Sequence, residues 1–287
     1  QEIFTWGWPF HPPAEAAEKW MKIASNSAAE IKTNTDGQTL IVSNGKVQFY
    51  FNKLNGYLEK VMRNDSILSL SGGPALAGFN LKMDSFDFKK ENDHVVVHAH
   101  YKDGKNWLRA EWTFAPEQAT KLLYKFSQRG EADFMGITFN YPEHHLKGMQ
   151  WLGRGPYHVW KNRLKGLQFG LWEKQFNNTA TGESWNYPEF KGNHASLYWV
   201  KVLTDQMPFD IYFGNDNMFL QMLKTPNPAG AYNTNTTVNY PEGNIGIMNA
   251  IQAIGTKFKK AEALRPQSQK NVELNSPYEG VIWLDFR

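Results

Sequence analysis

From Thr39 onward, apolar and polar residues alternate with a period of two. In the clearest stretch Val47, Phe49 and Phe51 alternate with Gln48, Tyr50 and Asn52, the pattern of a strand with one face in a core and one toward water. Asn44-Gly45 and Asn55-Gly56 flank this stretch, and such dipeptides readily adopt the backbone that hairpin turns require. Further strands are predicted at His94–Tyr101, Trp107–Phe114, Lys121–Gln128, Phe134–Asn140, Ser196–Leu203, Phe209–Phe213, Gly246–Ala253 and Gly280–Phe286. Gly72-Gly73-Pro74 reads as a turn. Many strands, few helices and turns between them predict an all-β fold, a large two-sheet antiparallel sandwich.

The first 38 residues follow another pattern. Gln1 to Phe10 reads as a strand ending at Pro9, and Trp6 and Trp8 in it are expected to pack on something rather than face water. Between Ala14 and Ala24, Ala16, Trp20, Ile23 and Ala24 recur at helical spacing behind His11-Pro12-Pro13, which predicts one short helix. Ser25 to Gln38 is polar and reads as a linker. The expected organisation is therefore 1–38 as strand, helix and linker, and 39–287 as the β-sandwich.

Composition narrows the function classes. The net charge is only +3 and 21% of residues are charged, so no nucleic-acid or membrane partner is implied. No apolar run is long enough for a membrane span. There is no cysteine, which removes disulfides, thiolate metal sites and cysteine nucleophiles. Aromatic residues make up 15% of the chain, with 11 tryptophans. Many of these rings suit a β core, and the remainder suit a saccharide, whose apolar C–H face stacks on aromatic rings.

The densest chemistry lies at Trp151-Leu152-Gly153-Arg154-Gly155-Pro156-Tyr157-His158-Val159-Trp160-Lys161-Asn162-Arg163. Two glycines and a proline at this spacing predict an irregular strand-plus-turn, and the cations and rings around them suit a ring-shaped polar ligand. A second segment, Tyr187-Pro188-Glu189-Phe190-Lys191-Gly192-Asn193-His194, leads to Trp199. In order and spacing the pair resembles the signature of the last domain of family 2 β-galactosidases (Trp-x-Gly-x-Gly-Pro, an aromatic run, then Arg; later a Tyr/Pro, carboxylate, Gly-Asn run).

The resemblance implies a galactose-mutarotase-like sandwich over about residues 39–287. It also implies that the catalytic carboxylates lie outside this chain, in a preceding barrel; retaining glycosidases set such a pair about 5–5.5 Å apart. The chain would then be a C-terminal domain that supports upstream catalytic domains of the same parent protein and contacts carbohydrate, in a bacterial periplasmic or secreted enzyme. The alternatives are a stand-alone carbohydrate-binding module and an aldose epimerase of mutarotase type, for which His158, His194, Glu183 and Glu189 are candidate acid and base groups.

Candidate carbohydrate-binding residues are Arg154, Tyr157, His158, Trp160, Arg163, Trp185, Glu189, His194 and Phe258. An arginine can grip two hydroxyls, or it can pin a carboxylate; for Arg163 the structural alternative is Glu173 or Glu189. Trp160, Trp172 and Trp185 are either stacking platforms or core. Phe258 stands near the place where the family carries a tryptophan that reaches the sugar, in a Gly-Gly-Asp-Asp-Ser-Trp type of motif that is replaced here by Ala253-Ile254-Gly255-Thr256-Lys257-Phe258. Two further departures, Tyr157 to Asn162 without the family's acidic residues and Gly73 to Phe79 in place of an Arg-Ala-Pro run, weaken the substrate assignment more than the fold.

No cofactor is expected. Gly153-Arg154-Gly155 lacks a following helix and runs into Pro156, which removes a dinucleotide loop. His98 and His100 share a strand face and could share a cation, but no third ligand completes a set, so a solvated sheet face is the stronger reading and no metal is expected.

Overall fold

The computed structural model describes residues 7–21, 30–176, 192–222, 234–271 and 276–287. After helix α1 (Pro13–Met21) come β1 (Lys32–Asp36), β2 (Thr39–Asn44), β3 (Val47–Asn52), β4 (Leu58–Arg63), β5 (Ser66–Leu68) and β6 (Ser71–Leu76). The middle of the chain forms β7 (Lys82–Glu91), β8 (His94–Asp103), β9 (Asn106–Phe114), β10 (Thr120–Ser127), β11 (Met135–Asn140) and β12 (Leu146–Val159). The last strands are β13 (Gln168–Gln175), β14 (Asn193–Thr204), β15 (Phe209–Phe213), β16 (Phe219–Gln221), β17 (Ile245–Ala250) and β18 (Tyr278–Asp285).

Antiparallel pairing builds two layers. One runs β1–β2–β3–β4–β6–β11–β17–β16. The other runs β7–β8–β9–β10–β18–β15. Strand β14 joins them: His194 and Ala195 pair with β16, while Trp199 to Val202 pair with β15. Along its other edge β14 pairs with β12, which in turn carries β13. The long ribbon β14–β12–β13 thus links both layers and carries the motif.

Alternation explains the core. Strand β3 buries Val47, Phe49 and Phe51, and β9 buries Leu108, Ala110, Trp112 and Phe114. The two sets meet between the layers, with ring centroids 4.8 Å apart for Phe49–Phe114 and 5.5 Å for Phe51–Trp112 in edge-on geometry, an arrangement that aromatic quadrupoles favour.

Four expectations need correction. Residues 32–36, read as linker, form β1, which pairs with β2 in a hairpin. All its side chains are exposed, so no alternation marks it; the partner strand alone buries Leu40 and Val42. Gly72-Gly73-Pro74, read as a turn, lies inside β6, where a side chain at Gly73 would collide with the Phe139 ring and the Thr138 carbonyl. Of the N-terminal strand, Gln1 to Trp6 lie outside the described residues, and Gly7 to Pro12 form no strand. The helix ends its described span at Met21 and buries Pro13 and Ala17, one position away from the predicted stripe; Ile23 and Ala24 lie outside the described residues.

Candidate functional site

The motif is one long strand with a tight turn at its end, more regular than its glycines predict. Pairing of β12 with β14 shifts between Leu152 and Arg154 and again between Arg154 and Val159, so the irregularity is confined to bulges. Trp151, Gly153 and Gly155 are buried. At Gly155 a Cβ would stand 2.7 Å from the Trp172 ring, whose Nε1 donates to the Gly153 carbonyl at 3.2 Å. Glycine at that position makes room for the indole of the neighbouring strand.

After β12 the chain turns at Trp160–Arg163, closed by Arg163 N donating to Trp160 O at 2.8 Å. This turn holds down an irregular segment, residues 251–269. Lys161 N donates to Gln252 O at 3.0 Å and Lys161 Nζ to Gln269 O at 2.9 Å. Asn162 Nδ2 donates to Ile254 O at 2.8 Å and to Ser268 Oγ at 3.0 Å, and its Oδ1 accepts from Ile254 N at 3.0 Å. Arg163 Nη2 donates to Gly255 O at 2.9 Å. Of the two carboxylates considered for Arg163, Glu173 accepts from Gln150 Nε2 instead, and Glu189 lies outside the described residues. Asn162→Ala removes three bonds from a segment with no ladder of its own. It is expected to cost about 1–3 kcal/mol, and hydrogen exchange should rise in residues 251–269 while the β9–β10 core stays protected. Unchanged exchange in that segment would refute the staple.

Beside the staple lies a polar cleft of about 230 Å³, lined by Asp133, Asn235, Asn239, Gln252, Lys260 and Glu262 among others. Asn239 Nδ2 donates to Asp133 Oδ2 at 3.1 Å, and Gln252 Nε2 to Asn239 O at 3.0 Å. Sequence reading did not find this cleft, because its walls come from three distant loops with no shared motif. Next to it Phe258 is 82% exposed, on a turn in which Thr256 Oγ1 accepts from Lys259 N at 3.1 Å and Thr256 N donates to Lys259 O at 2.8 Å. Lys257 Nζ stands 5.8 Å from the centre of the ring.

The two motif histidines meet. His158 Nε2 and His194 Nε2 are 3.1 Å apart, so one ring donates and the other accepts. The Trp151 ring lies edge-on to His194 at 4.7 Å. Burial pushes His158 down to about 4, with a further push from the Lys174 cation, and lowers His194 well below the ordinary histidine range. Burial lowers Lys174 as well. His194 is buried and His158 half-buried; the two hydrogen-bond each other and are neutral near pH 7.

The other candidates divide. Trp160 is 1% exposed and packs 6.0 Å from Tyr240, so its ring belongs to the interior. Tyr157 is about half exposed, and Arg154 lies on the outer side of β12. Trp185, Glu183 and Glu189 lie outside the described residues. His98 and His100 do not share a ligand set. His98 lies between Asp87 at 3.1 Å and Glu111 at 3.5 Å, and His100 faces Asp84 at 3.3 Å. They belong to a charged outer sheet face.

A two-layer antiparallel sandwich, closed by a ribbon whose terminal turn pins a long irregular loop, defines the class: an all-β sandwich domain. Residues 43–225 match the family model of the beta galactosidase small chain, and the chain belongs to that family. No curated protein matches its sequence. Among solved structures it is similar to a protein from Escherichia coli K12 provisionally named an aldose 1-epimerase, with 9% identity over 89% of this chain and 98% of that one and a TM-score of 0.43. It is also similar to one from Salmonella typhimurium provisionally named a mutarotase, with 10% identity over 95% and 100% of the chains and a TM-score of 0.37.

Proposed function

We propose that this β-galactosidase-related domain works as the non-catalytic C-terminal part of a family 2 type glycoside hydrolase. It braces the catalytic domains and presents the Phe258 loop to their sugar site. The observation that carries this reading is the staple. The side chains of Lys161, Asn162 and Arg163 and the backbone of Lys161 hold residues 251–269, and the loop so fixed displays a large apolar ring, 82% exposed, beside a polar cleft. A ring held in water on a rigid loop is what a docking partner would cover, and fixing it beforehand lowers the entropy lost on contact.

Hydrolysis of nitrophenyl β-galactosides by the chain, alone and mixed with its upstream catalytic portion, tests the reading. No turnover alone and activity on mixing are expected. Phe258→Ala should lower kcat/KM of the mixture about tenfold, the size of one lost apolar contact of about 1.4 kcal/mol, while co-elution of the two portions persists. Turnover by the isolated chain would place catalytic groups within it and overturn the proposal.

A further inference from the structure

A second cleft, of about 240 Å³, lies beside Arg154 and shares no lining residue with the one next to Phe258. Its roof is the N-terminal segment, Gly7, Trp8, Pro9 and Pro13; its floor comes from β12, β13, β14 and the turn after β15. The roof is anchored. Tyr198 Oη donates to His11 O at 2.6 Å, and α1 lays Trp20 5.7 Å from Tyr212. On the floor, the Phe169 ring meets Tyr198 edge-on at 5.1 Å.

The charges of this cleft narrow its ligand. Arg154 and Asp216 are its only charged lining residues, both are exposed, and among the described residues neither forms an ion pair. A guanidinium and a carboxylate that line one cleft without pairing leave five donors and an acceptor for something between them. An anion would gain from Arg154 and lose to Asp216, so net neutrality favours an uncharged ligand. The amides of Gln168 and Asn217 add donors and acceptors without charge. Trp8, 74% exposed, and Phe169 supply apolar ring faces. The required molecule has hydroxyls that both donate and accept and an apolar face for an aromatic ring. The volume is below the roughly 300–1,000 Å³ of pockets for drug-sized ligands, and it suits a single ring.

We propose that the Arg154–Asp216 cleft binds one pyranose ring of an uncharged saccharide, roofed by the chain's own Gly7–Pro13 segment. This site goes beyond the docking role of the Phe258 loop and does not depend on it. The test uses the chain alone, titrated with methyl β-D-galactopyranoside and methyl β-D-glucopyranoside by calorimetry and saturation-transfer NMR, with sodium sulfate as the anion arm. Saturable binding of at least one glycoside in the roughly millimolar range is expected. Arg154→Ala and Asp216→Ala should each weaken it at least tenfold, and Asp216→Asn, which keeps the shape, should weaken it less. Melting temperatures of all three variants should stay at the wild-type value, because both residues are surface groups. Absence of saturable binding to either glycoside, equal binding by the alanine variants, or competition by sulfate would each overturn the proposal. Because no catalytic portion is present, such a failure would leave the assembly assay standing.

Discussion

Trp151→Ala is expected to lower the unfolding free energy by about 3–5 kcal/mol, the usual range for truncating a fully buried tryptophan. The residue is 0% exposed and sits in the middle of the three-strand ribbon, opposite Trp172 on β13 and Val200 on β14. Its ring forms the wall against which His194 packs, and its Nε1 donates to the Arg154 carbonyl at 3.3 Å. Truncation therefore opens a cavity where both layers are joined and loosens the bulge that aims Arg154. Set against the roughly 5–15 kcal/mol that a domain typically has, this is a large fraction. Urea unfolding followed by tryptophan fluorescence gives the value, and Trp151→Phe should retain most of the stability. A loss below about 1 kcal/mol for the alanine variant would mean that the ribbon does not depend on this ring.

The second large effect is a loss of stability in mild acid, caused by the paired histidines, buried His194 and half-buried His158. Burial depresses both folded-state values, His158 to about 4 and His194 also well down, against an unfolded value of about 6.5. For a base whose folded value is depressed, the unfolded chain binds more protons in the window between the two, so stability falls as pH falls. The full contribution is present above about pH 6.5 and declines toward pH 4, with a slope up to roughly 1.4 kcal/mol per pH unit for each histidine. Between pH 7 and pH 5 each histidine should remove on the order of 2 kcal/mol, and the pair about 4 kcal/mol. Surface carboxylates such as Asp84 and Asp205 are held low mainly by hydrogen bonds to Lys102 and Lys147, and their contributions fade only at still lower pH. Urea midpoints at pH 7.5, 6 and 5 measure the slope. His194→Gln should flatten it, and an unaltered slope in that variant would assign the acid sensitivity elsewhere.

The fold was legible where core and solvent positions alternate along a strand, and less so in β4, β6 and β16, which are also partly buried but were not predicted as strands. Strands β3, β8, β9, β10, β15 and β18 alternate between core and solvent, and Phe209–Phe213 was read with its observed bounds. Strands β1, β7 and β13 were not read, because their side chains are mostly exposed and a strand wetted on both faces has no period to detect. In the motif, glycine and proline predict an irregular strand-plus-turn, and the structure adds the reason for the glycine: the close approach of Trp172 inside the strand.

What the sequence determined by itself is the class of the domain and the location of its chemistry. Period-two alternation sets an antiparallel sandwich, and two spaced motifs mark the ribbon that joins its layers. The tertiary structure decided the partners of the described motif residues. His158 and His194 meet across 36 residues, and Arg163 reaches Gly255 across 92. No local pattern encodes such partners, because they are brought together by strand register and by the path of β14 between two sheets. Arg163 could have met a sugar, a carboxylate or a carbonyl with the same guanidinium; only the packing of residues 251–269 against the turn after β12 selects the carbonyl.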